Sequence, residues 1–185
     1  KINGVPALSI LLIPGLTTGL HLAIVTLLIT FTAPLLFDAA LPSNGLNLFI
    51  VVAALALACS SYGLLIGVVS PSTRMTVLYS QIIFIPSMIL GGLMLPFSML
   101  PTAAQQVAQL LPATHAMNAF NGLAMNGTAD FNPWASVIIL ASSGILAFAL
   151  ALFLFNWDRR NSDQRGHPLL ALLILLPNLV GLLLL

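Results

Sequence analysis

Glutamate is absent from the sequence, lysine occurs once, at Lys1, and cysteine once, at Cys59. Each scarcity removes a class of function. Proton- or sodium-coupled carriers commonly hold a carboxylate inside the bilayer, and none of the four acidic residues, Asp38, Asp130, Asp158 and Asp163, falls in the middle of an apolar run. A buried charge costs at least about 2.5 kcal/mol on insertion scales, so ion coupling is not expected of a chain that keeps none. A lone lysine at the first residue leaves no G-x-x-x-x-G-K-[ST] loop, so ATP phosphates are not held here in that way. One cysteine cannot make an intrachain disulfide. His21, His115 and His167 stand without His or Cys neighbours at ligand spacing, so no metal site is expected. A net charge of +1 with no basic patch gives no footprint for a nucleic-acid partner.

What is present is apolar. Hydrophobic residues make up 59% of the chain, charged residues 5%, and mean hydropathy is +1.10. Soluble domains carry roughly 25% charge, so this is an integral membrane protein, and its fold class is all-α. Four spans are predicted, over residues 16–37, 48–69, 75–95 and 134–155. The first, about 22 residues or roughly 33 Å of helix, is long enough to cross the hydrocarbon core. Residues 1–15 are apolar but broken by Gly4, Pro6 and Pro14, and read as an interfacial segment or a frayed end. The chain starts at Lys1 with no signal-peptide pattern, so a fragment of a longer protein is one expectation. Residues 168–185 are interrupted by Pro177, Asn178 and Gly181 and sit at the lower limit for a fifth span; a surface helix is the alternative.

Orientation follows from the basic residues. Placing Arg159, Arg160 and Arg165 of the polar run 156–167 in the cytoplasm also places Arg74 and Lys1 there. Asp38, Asp130 and the segment between the third and fourth spans then fall outside. Arg74, Arg159, Arg160 and Arg165 read as cytoplasmic anchors, the last three as contacts to lipid headgroups or, alternatively, to an ATPase. In the second span Ala56, Ser60, Gly63 and Gly67 form a stripe of small residues, the last two a GxxxG, suited to a close helix approach within the subunit or from another. Pro86 lies in the middle of the third span and is expected to kink it.

The most informative stretch is residues 86–122. After the third span, residues 102–111 put Ala103, Val107, Leu110 and Leu111 on one face, and residues 114–125 put Thr114, Asn118 and Asn121 in a polar stripe with His115 beside it. Pro112 separates the two. Neither is long enough to span, so residues 97–127 are predicted to form a re-entrant helical hairpin on the outer side. Thr114, His115, Asn118 and Asn121 then either brace the hairpin or line an outer gate. Ser98 or Ser87 with His115 and an Asp has the residue types of a hydrolase, but nothing in the sequence brings them together. Asn126-Gly127-Thr128 fits the glycosylation acceptor pattern, which a bacterial membrane would leave unused.

The strings LGGLMLPFSMLP and QQVAQLLPATHAMNAFNGLA resemble the C-terminal part of ABC-2-type transporter permeases, the membrane subunits of ATP-driven exporters. Gly91, Gly92, Pro96, Pro101, Pro112 and Thr114 stand at that family's small-residue and proline positions, over a resemblance covering residues 5–157. It implies a permease with no cofactor of its own, a separate P-loop ATPase subunit holding ATP and Mg, and a second permease subunit around a shared path. About two further spans upstream, a coupling segment near residues 1–15, a bacterial plasma membrane and an ending soon after the fourth span are also implied; the extra segment 168–185 departs from that pattern. The rival reading is a scaffold or assembly protein without transport.

Overall fold

The computed structural model describes residues 7–155 and 168–184, and these form helices without a strand. Four helices are long and apolar enough to cross a membrane, so the chain is a multi-pass membrane protein: α1 (Ala7–Phe37), α2 (Gly45–Val69), α3 (Thr73–Leu90) and α6 (Pro133–Leu154). Between α3 and α6 stand two short helices, α4 (Thr102–Ala108) and α5 (Pro112–Ala119), the latter extended by a π turn over Phe120–Ala124. After residue 167, a 3₁₀ stretch Pro168–Leu175 leads into α7 (Leu176–Leu184). Lys1, Arg159, Arg160 and Arg165 lie outside the described residues.

Two boundaries differ from expectation. Residues 7–15 are not a separate interfacial segment but the first turns of α1, which runs through Pro14 and Pro34 for 31 residues. In apolar surroundings an unpaired backbone group costs more than the one bond that proline removes, so the helix continues past it. The third span stops at Leu90, short of residue 95. Gly91 caps it, and Gly92 turns the chain at φ +82°, a conformation that suits glycine. Pro86 sits inside α3 without ending it.

Helix starts follow local chemistry. Asn44 caps α2 by accepting Asn47 N–H at 3.1 Å, and Asn132 caps α6 by accepting the N–H of Trp134 at 3.0 Å and of Ala135 at 3.3 Å, with Pro133 in the first turn. The core is the α2–α6 pair. A Cβ at Gly144 of α6 would come within 3.0 Å of Ala58 Cα on α2, so the two backbones touch where lipid-facing apolarity gives no drive to associate and close packing must supply it. Val51, Ala54 and Ala58 of α2 pack there against Leu140 and Val137 of α6 and Ala116 and Ala119 of α5. α1 covers Ala56 and Ser60 through Gly19, whereas Gly63 and Gly67 face open space within this chain. The outward faces of α1 and α3 carry large exposed apolar side chains, among them Leu16, Leu20, Leu28, Ile82 and Phe84. Residues 169–183 are apolar but shorter than a spanning helix, and they pack on α6, with Asn178 buried beside Tyr62.

Candidate functional site

The hairpin end of the bundle is built from capping bonds. α4 ends at Ala108, whose carbonyl accepts Leu111 N–H at 2.9 Å in a tightened last turn. Two neighbouring side chains of α5 add to this end: Thr114 Oγ donates to the same Ala108 O at 2.6 Å, and His115 Nε2 meets the carbonyl of the next residue, Gln109, at 2.8 Å. Pro112, buried in the first turn of α5, needs no N–H partner and sets the corner that brings these two side chains back over α4. Since a carbonyl only accepts, His115 carries its proton on Nε2, and its bare Nδ1 is buried without a partner. Burial holds the imidazole pKa below its usual 6.5, opposed by the bond to Gln109. The ring is fully buried and meets Phe131 edge-on at 5.6 Å, and Phe131 in turn meets Phe97 at 5.6 Å.

Asn118, one turn further, ties α5 to the loop before α6. Its Nδ2 donates to Phe131 O at 2.9 Å and to Ser136 Oγ at 3.0 Å; its Oδ1 accepts Asp130 N–H at 2.8 Å and Phe131 N–H at 3.3 Å. At 4% exposed, this amide spends its hydrogen-bonding capacity inside the protein. Asn121 stands apart: its backbone carbonyl accepts Gly127 N–H at 2.8 Å while its side chain borders a cavity.

The other side of the hairpin is held by the loop between α1 and α2 and by the first turn of α2. The π turn ends with free carbonyls, and these two segments supply their donors. Ser43 N–H reaches Ala124 O at 2.8 Å and Asn44 N–H the same oxygen at 3.2 Å; Asn47 Nδ2 donates to Leu123 O at 3.1 Å and Ser43 Oγ to Met125 O at 3.2 Å. Nothing in the spacing of residues 43–47 announces these partners, which lie about eighty positions away in sequence. The Phe97–Phe131–His115 ring stack is equally invisible in the sequence.

Between the end of α3 and this braced hairpin opens a cavity of about 230 Å³. Gly91, Gly92, Pro96, Thr114, Asn118 and Asn121, all singled out by sequence, line it, together with Phe97, Ser98, Met117, Thr128, Asp130 and Phe131. Gly91 lets α3 close onto Ala113 of α5. Pro101 stands at the start of α4, away from the cavity lining, as do Pro86 and Pro112. Arg74 is exposed in the first turn of α3, where the helix dipole disfavours a cation, so it does not stabilise the helix through the dipole.

A family model described as ABC-2 type transporter matches residues 3–125, well over half of the chain and inclusive of α1 to α5 and the π turn. Nodulation protein J of Rhizobium leguminosarum bv. viciae is 30% identical over 100 residues, 54% of this chain and 36% of that protein. ABC transporter G family member 20 of Dictyostelium discoideum is 27% identical over 127 residues, 68% of this chain and 17% of that protein. The chain thus spans only about a third of the first relative and a sixth of the second. No solved structure matches it. With that model covering residues 3–125, the chain belongs to the ABC-2 type transporter family.

Proposed function

We propose that this chain works as the transmembrane subunit of an ATP-driven exporter, with a separate P-loop ATPase holding ATP and Mg²⁺ and a second permease subunit completing the path. The observation that carries the reading is the hairpin: it is bonded to the α1–α2 loop and to the segment entering α6, forming a fixed cap over one end of the α2–α6 core. Such a cap suits the outer end of a path whose opposite end is moved by a partner. The uncovered faces of α1 and α3, with Gly63 and Gly67, suit lipid and the second subunit. Thr114, His115 and Asn118 act in this reading as braces of the gate, and Asn121 as its wetted side chain. The absence of glutamate and of a phosphate-binding lysine motif fits an energy source outside the chain. A multi-pass place in a bacterial plasma membrane completes the reading.

The test is extraction of the intact protein from its host in mild detergent, with identification of co-purifying proteins and assay of ATP hydrolysis. A near-stoichiometric P-loop ATPase, inactive when its phosphate-binding lysine is changed, supports the reading. Loss of every ATPase under several mild conditions favours a structural role instead.

A further inference from the structure

The cavity beside the hairpin separates spent from unspent polar groups. Thr114 and Asn118 use their side chains on Ala108, Phe131, Ser136 and Asp130. Ser98, Asn121 and Thr128 also line the cavity, and their side chains make no hydrogen bond to any described residue. Among the described residues, Asp130 is the only ionisable one in the lining, and only its backbone N–H is engaged. Phe97 and Phe131, whose rings meet edge to face, belong to the same lining. A carboxylate, oxygen acceptors and aromatic rings around one space make a receptor for N–H donors bearing positive charge. An anion would meet no cation in this lining. At about 230 Å³ the space lies below the range of roughly 300–1,000 Å³ typical of drug-sized ligands.

We propose that this cavity binds a primary ammonium group on a short chain, with Asp130 as counter-charge, Ser98, Asn121 and Thr128 as acceptors, and Phe97 and Phe131 as the apolar wall. Trp134, 48% exposed at the start of α6, puts this end of the bundle at headgroup level. The ammonium group therefore has two sources, a soluble amine or the headgroup of an aminophospholipid. The inference stands apart from the transport reading, because binding is measured without ATP.

The experiment reconstitutes the full chain, with any partner it retains, in phosphatidylcholine nanodiscs and titrates butylammonium chloride by calorimetry, with sodium chloride at equal ionic strength and butanol as controls. Saturable binding of butylammonium and none of butanol is expected. Asp130→Asn keeps the backbone bond to Asn118 and the shape of the side chain, and is expected to weaken binding by about fivefold, as suits an exposed carboxylate. Thr128→Val, an exposed substitution, is expected to weaken it about threefold and reads the same site if Asp130→Asn does not fold. Nanodiscs containing phosphatidylethanolamine separate the sources: weaker apparent butylammonium affinity identifies the lipid headgroup as occupant, and unchanged affinity identifies a soluble amine. No saturable binding, equal binding of butanol, or binding undiminished in both variants overturns the proposal.

Discussion

Asn118 Oδ1 accepts the backbone N–H of Asp130 at 2.8 Å, so the middle of the hairpin holds the loop that enters the last long helix. With its donors on Phe131 and Ser136, the amide links three segments through one side chain. A gate residue works by meeting a passing ligand; a saturated amide works by keeping its neighbours in place.

Asn118→Leu should therefore cost stability before it touches transport. It leaves the carbonyl of Phe131 and the N–H groups of Asp130 and Phe131 without their partner, an expected loss of about 2–4 kcal/mol. Unfolding in mixed micelles and limited proteolysis of residues 126–132 should both register it. Wild-type stability combined with lost transport would return Asn118 to the gate.

Acid should loosen the same hairpin through His115. Burial keeps its folded pKa below the usual 6.5, so the folded state prefers the neutral ring. The contribution is then complete above that usual value and falls away as pH drops from it toward the folded value. Protonation would place a second N–H on the buried Nδ1, which has no partner in the structure. His115→Gln keeps a donor for Gln109 O without the titration. Thermal midpoints between about pH 7.5 and about pH 5 should fall for the native protein and show a weaker slope in the variant. Parallel slopes would assign the acid sensitivity elsewhere.

The sequence carried the helices further than it carried the site. Apolar runs over α2 and α6 were legible because apolarity at that length has one outcome in a bilayer, whereas the caps at Asn44 and Asn132 that fix their first turns came only with the structure. Pro14 misled, because in water it marks a helix boundary and in lipid the surrounding turns override it. Thr114, Asn118 and Asn121 were visible as a polar stripe with His115 beside it, and Thr114, His115 and Asn118 proved buried. Their partners are carbonyls and N–H groups, which every residue carries and which periodicity cannot rank. The ties from Ser43 and Asn47 to the π turn, and the Phe97–Phe131–His115 stack, depend on where distant segments meet.

Glycines in α2 and α6 should answer differently. Gly144→Ala drives a Cβ against the backbone of Ala58, and overpacking of this kind costs about 1–3 kcal/mol. Gly63→Ala and Gly67→Ala meet nothing within 4 Å and should leave the isolated chain neutral or more stable by up to about 1 kcal/mol through helix propensity. Bulkier Gly67→Leu then isolates the second-subunit question: cross-linking in native membranes should show fewer dimers with the monomer fold intact. Equal dimer yield would leave that face to lipid.

The loop between α1 and α2, with the first turn of α2, offers the most selective test of the cap. Two of its four bonds to the end of the hairpin come from backbone N–H groups and survive any side-chain change; the other two come from Asn47 Nδ2 and Ser43 Oγ. Ser43→Ala with Asn47→Ala removes those two at an expected cost of about 1–2 kcal/mol, small enough to keep the chain folded. The π turn should then become more open to protease, because the carbonyls of Leu123 and Met125 lose their side-chain donors. If the hairpin closes one end of a path, substrate movement should fall while ATP hydrolysis by the partner continues, since Ser43 and Asn47 stand at the end of the bundle away from Arg74. Loss of both together would mean that the loop holds the whole subunit together, and loss of neither would leave the backbone bonds sufficient for the cap.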